Sequence, residues 1–169
     1  MPTDNDRNIV FGPNAKDADV SDFTLTVLRD IMRTADVARL TITSTQRSPQ
    51  DQARVMFDNI ERDGVARQKA LYKAAGQSVI DAYAAAKSAG KSADEIKAAM
   101  LARILQIGPE KVSRHAADPK VLNVFDISPS SVANGAAFVA AARGDRRVAK
   151  VLTPAEHDPA FHLEIPQPS

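Results

Sequence analysis

The sequence predicts an α+β fold: a small antiparallel sheet flanked by helices, with a helical insertion, in a single domain over residues 1–169. Three observations predict it. The expected elements run helix, strand, several helices, then mostly strands. Two stretches in the C-terminal third, "VLNVFDIS" and "AFHLEI", alternate their large apolar residues with a period of two. Residues 65–107 are rich in Ala, Lys, Gln and Glu, all good helix formers.

Each element has its own signal. Residues 1–20 are polar, with "GPN" as a turn, and read as an irregular lead-in. Ser21 can cap a helix running to about residue 34, in which Phe23, Val27, Leu28, Ile31 and Met32 share one face. "ARLTITSTQR" reads as a strand, because Leu40 and Ile42 alternate with Thr41 and Thr43. In "SPQDQ", Ser48 is the cap and Pro49 takes the first helical position, where its missing N–H is not needed. That helix carries Val55, Met56 and Ile60 and stops near Gly64. Within residues 65–107, Gly76 is the candidate break of a first helix and Gly90 the end of a second. "SADE", from Ser92 to Glu95, is a capping box for a third helix, with Ile96, Met100 and Ile104 as its apolar stripe. The heptads are too few for a coiled coil, so the segment reads as a helical insertion packing on itself. After "GPE", the stretch "KVSRH" reads as strand-like, "AADPK" as a loop and "VLNVFDIS" as a strand. "SPSSVANGAAFVAAARGD" reads as a short helix capped by Ser130 or Ser131, and "RRVAKVLT" and "AFHLEI" supply two further strands.

Composition excludes several function classes. A chain of 169 residues with 44% hydrophobic and 25% charged residues can bury a core and is globular rather than disordered. The net charge of +1, with basic residues scattered and not interleaved with aromatics, argues against nucleic acid or an acidic membrane as partner. There is no tryptophan and little aromatic residue, so aliphatic side chains and alanine must build the core. There is no cysteine, which excludes disulfides, thiolate ligands and a cysteine nucleophile; a transition-metal site must draw on His, Asp and Glu. "MPTDNDRNIVFGPN" has no basic stretch leading into an apolar run, so no secretory signal is expected, and no stretch is apolar enough to span a bilayer. The expected location at synthesis is cytoplasmic, and the expected state a monomer.

The chain has three histidines, and two of them point to chemistry. In a strand, side chains alternate between faces. In "NVFDI", Phe125 and Ile127 share one face and Asp126 points to the other. In "FHLEI", Phe161, Leu163 and Ile165 share one face, and His162 and Glu164 the other. His115 ends "KVSRH". Two imidazoles and one carboxylate make a common catalytic zinc set, with the fourth position left to water. Taken singly, the same side chains equally fit surface or hydrogen-bonded roles, and their spacing is not that of a helical zinc motif.

"SRHAADPKVLNVFDIS" resembles the SxHxxGxAxD(I/L) motif of the zinc D-Ala-D-Ala carboxypeptidase and L-alanyl-D-glutamate endopeptidase family, which shares its fold with the hedgehog signalling domain. Ser113, His115 and Asp126 match its Ser, first ligand His and ligand Asp. "ITSTQRSPQDQARVM" resembles the upstream "TSGYRS" segment, with Arg47 at the substrate-orienting arginine. "AFHLEI" resembles the C-terminal strand that carries the last ligand, here His162. The resemblance implies Zn2+ held by His115, Asp126 and His162, with Ser113 bracing the site and Arg47 holding substrate. The chain also departs from the pattern. The loop between His115 and Asp126 is longer, with "DPKV" inserted and the glycine missing. Pro159 stands where many members carry the catalytic Glu or Asp. The nearest candidates are Asp158, Glu156 and His157 before His162 and Glu164 after it, and Asp158 is preferred as the general base.

The expected function is therefore a zinc-dependent peptidase that cleaves peptidoglycan stem peptides. It would be of D-Ala-D-Ala carboxypeptidase or L-Ala-D-Glu endopeptidase type, and a phage lysis enzyme (endolysin) or virion enzyme that reaches the cell wall after release. Its rivals are a non-catalytic structural or binding protein that retains the fold, and another metal-dependent amidohydrolase acting on a small peptide.

Overall fold

The computed structural model describes residues 7–169. Five strands form one sheet: β1 (Asn8–Phe11), β2 (Arg39–Ser44), β3 (Leu122–Ile127), β4 (Lys150–Leu152) and β5 (Phe161–Pro166). The helices are α1 (Asp22–Ala35), α2 (Pro49–Asp63), α3 (Val65–Leu71), α4 (Ala74–Ser88), α5 (Ala93–Ile107), α6 (Pro109–Val112) and α7 (Gly135–Gly144). The fold is α+β. The chain divides into two compact units. One joins the described residues up to Gln46 to Ala117–Ser169; the other is Arg47–Ala116.

The first unit holds the sheet, in the order β1-β2-β3-β5-β4. Its pairs are antiparallel except β1–β2, which is parallel. α1 and α7 supply Val27, Leu28, Ile31, Met32, Phe138 and Ala142 to the core. The sheet meets them with Leu40, Ile42, Phe125, Ile127, Phe161, Leu163 and Ile165. Strand alternation then sends Asp126, His162 and Glu164 to the opposite face.

Local signals start the helices where the sequence indicates. Ser21 Oγ accepts the Thr24 N–H at the start of α1, and Ser48 Oγ accepts the Asp51 N–H at the start of α2, with Pro49 in the first turn. Two expectations fail in this unit. Residues 8–11, read as irregular, form β1. This strand owes its existence to pairing with β2 and to Arg7, which is buried and donates to the carbonyls of Met32 (3.2 Å) and Val37 (2.8 Å). Residues 1–6 of the expected lead-in lie outside the described residues. The serines of "SPSS" do not cap α7. They form a 3-10 turn, Pro129–Ser131, where Ser131 Oγ accepts the Thr41 N–H and donates to the Ser128 carbonyl. Asn134 caps α7 instead, accepting the Ala137 N–H.

One buried side chain ties the lead of α1 to β3. Asn123 is 1% exposed; its Oδ1 accepts the Ser21 N–H (2.9 Å) and its Nδ2 donates to the Pro119 carbonyl (2.7 Å). Asn123→Ala removes both bonds and leaves their partners short of one, which should lower stability by about 2 kcal/mol. Urea denaturation checks this; an unchanged midpoint would show that water replaces the side chain.

The second unit closes a core of its own. Ala53, Met56, Phe57 and Ile60 of α2 pack with Val79, Ile80 and Tyr83 of α4, Ile96, Met100 and Ile104 of α5, and Val112. Ser92 caps α5 through the Glu95 N–H. The first helix of the segment does not break at Gly76. The interruption lies at Tyr72 and Lys73, both extended, and Gly76 sits inside α4 because any Cβ there would run into the Tyr72 ring. Nor is "KVSRH" a strand. Gly108, at φ +106°, is followed by Pro109 in the first position of α6, and a 3-10 turn, Arg114–Ala116, comes next. Proline in that position pre-sets a helical turn, and this overrides the strand-like look of Val112. Among the described residues, no helix is long and apolar enough to cross a membrane.

Candidate metal centre

The antiparallel register of β3 and β5 sets Asp126 directly opposite His162. The row continues outward: Ser44 of β2 pairs with Asp126, and Leu152 of β4 pairs with His162. Asp126 Oδ1 lies 3.1 Å from His162 Nδ1. Glu164, two residues along the same strand and on the same face, places Oε2 2.9 Å from His162 Nε2. Each ring nitrogen thus meets a carboxylate. His162 and Glu164 are buried and Asp126 half-buried.

This arrangement calls for positive charge. Burial works against the imidazolium, yet the hydrogen bonds and charges of Asp126 and Glu164 outweigh it. The pKa of His162 is raised from its ordinary 6.5 to about 9. Without metal, both ring nitrogens donate and the imidazolium bridges two carboxylates. The sign of the pH effect follows. The folded-state pKa lies above the unfolded one, so the stabilisation is complete below pH 6.5 and is lost as pH rises through about 9. Chelator-treated protein should therefore become less stable between those values, as read by thermal melts. A flat or rising midpoint across that window would show that His162 is neutral in the folded chain.

In the second unit, His115 is buried on the 3-10 turn that ends this unit. Its N–H donates to Ser113 Oγ (3.3 Å), and its carbonyl accepts the Arg47 N–H (2.8 Å). Ser113 therefore holds the turn that carries His115, and the Arg47 segment is anchored to the same turn through its backbone. The Arg47 guanidinium reaches Gln52 Oε1 at 3.4 Å.

In comparison with known proteins, no family, no curated protein and no solved structure matches the chain. The assignment therefore rests on the residues themselves. Asp126 and His162 of the first unit, and His115 of the second, are side chains of types that can ligate a metal ion.

The loop leading into β5 separates the remaining carboxylates. Glu156 closes a capping box with Thr153, accepting its N–H (2.8 Å) and its hydroxyl, and pairs with Arg143 at 2.6 Å. The Thr153 bonds, helped by Arg143, hold its carboxyl below the usual range. Its oxygens are committed to structure. His157 follows in the left-handed region (φ 68°) and is exposed. Asp158 is half-buried, and its Oδ1 accepts the Ala160 N–H at 2.9 Å, a turn that fixes the carboxylate where the chain enters β5. Sequence reasoning had Glu164 as a possible base. Its bond to His162 was open to inference from the i, i+2 spacing in a strand, but its burial was not.

Proposed function

We propose that this chain is a zinc-dependent peptidase acting on peptidoglycan stem peptides, of D-Ala-D-Ala carboxypeptidase or L-Ala-D-Glu endopeptidase type. The observation that carries the reading is the cross-strand pair of Asp126 and His162, set on the sheet face away from the core. The motif resemblance supplies the substrate class. His115, Asp126 and His162 would hold the ion. Zinc, when bound, supplies Lewis acidity toward the scissile carbonyl and toward water. Asp158 accepts the proton of the attacking water and returns it to the leaving amine. Arg47 holds a carboxylate or carbonyl of the peptide and steadies the negative charge that develops on the reacting carbonyl oxygen. As a phage lysis or virion enzyme, the protein would meet the wall after release through a membrane lesion or on particle entry.

The test is digestion of purified cell walls by zinc-loaded, chelator-treated and re-zinced protein, with released peptides identified by mass. Cleavage in the first and third samples is expected, and the masses name the bond. A second reading is a non-catalytic binding or structural protein that keeps the fold. It is favoured by Pro159 at the usual acid/base position and by a His162 whose two nitrogens already meet protein carboxylates. Zinc-loaded protein that cleaves no wall peptide would select it.

A further inference from the structure

The metal reading needs one nitrogen of His162 and leaves the other to be accounted for. Nδ1 faces Asp126, itself a ligand in that reading, whereas Nε2 faces Glu164. Glu164 is 2% exposed, so its carboxylate has little access to water or substrate. It also lies in the strand that carries His162, which makes their spacing a property of the β5 backbone.

Resting on the zinc reading above, we propose that Glu164 is a positioning residue. It takes the Nε2–H of His162, fixes that tautomer and turns Nδ1 toward the metal. A neutral imidazole has one donor and one acceptor nitrogen, and the bond made by one decides what the other can do. A carboxylate behind a ligand histidine orients the ring and raises its basicity. Burial also speaks against Glu164 as general base, because a carboxylate 2% exposed has little access to the attacking water.

Zinc affinity by competition with a chromophoric chelator is one readout. The His162 ring in zinc-loaded protein, followed by 1H–15N correlation, is the other. Wild type should show a protected, downfield Nε2–H. Glu164→Ala should bind zinc roughly 10- to 100-fold more weakly and lose that resonance. Glu164→Gln keeps an acceptor without the charge, so it should fall between the two and retain the tautomer. If Glu164→Ala does not fold, Glu164→Gln decides: weaker zinc binding with a shifted Nε2–H supports the proposal, and wild-type values for both overturn it. A folded Glu164→Ala with wild-type zinc affinity also overturns it, and leaves the peptidase reading standing. Wild-type protein that binds zinc through Nδ1 yet cleaves no peptide has the opposite meaning. Wild-type protein that binds no zinc sinks both.

Discussion

Asp158→Ala is expected to keep its fold and its zinc while losing about two to four orders of magnitude in turnover, the usual scale for removing a general base. The three candidate carboxylates near His162 in the chain have different occupations. Glu156 is held by Thr153 and Arg143, and Glu164 is buried against His162. Asp158 has Oδ1 on the Ala160 N–H and sits where the loop enters β5, four residues from His162 in the chain. A general base acts on the water rather than in the fold, so activity and stability should separate. Peptide release from cell walls measures the first and thermal denaturation the second. Near-normal turnover in Asp158→Ala, with collapse in Glu156→Gln, would move the role to Glu156.

Asp126→Ala and His115→Ala should each empty the metal site. Two remaining protein ligands fall short of the three that a catalytic zinc centre uses. Asp126→Ala has a second consequence: it removes the carboxylate that faces His162 Nδ1. The expected result is one zinc per chain in wild type and none in either variant, measured by elemental analysis after gel filtration. Full occupancy in both variants would remove these residues from the site. Peptidase activity should vanish with the metal and should not return on adding zinc.

The strand faces of the candidate site residues were legible in the sequence. Period-two alternation in "VLNVFDIS" and "AFHLEI" assigns Asp126, His162 and Glu164 to the faces they occupy. That reading is robust because a slip of one residue would drive Phe125 and Leu163, both fully buried, into the opposite face. Helix starts were legible for a similar reason. Ser21, Ser48 and Ser92 each satisfy a backbone N–H three residues on, an interaction contained within one turn.

Other features depended on distant residues. Ser131 looked like a helix cap until β2 claimed its hydroxyl through the Thr41 N–H. β1 has no pattern of its own and forms because β2 offers an open edge beside it. Gly76 sits within a helix because the Tyr72 ring occupies the space of its side chain. "KVSRH" combines residues that suit a strand, yet Pro109 starts a helix and His115 ends on a 3-10 turn.

The sequence alone thus determined the α+β class, the faces of β3 and β5 and the serine caps, all of which follow from spacing within a strand or a single turn. Only the tertiary structure decided that Asp126 stands opposite His162, that Glu164 is buried against the ring, and that Glu156 is spent on a cap and an ion pair. Strand register and burial are properties of segments brought together from far apart in the chain. Periodicity shows which way a side chain points and carries no information about what it meets there.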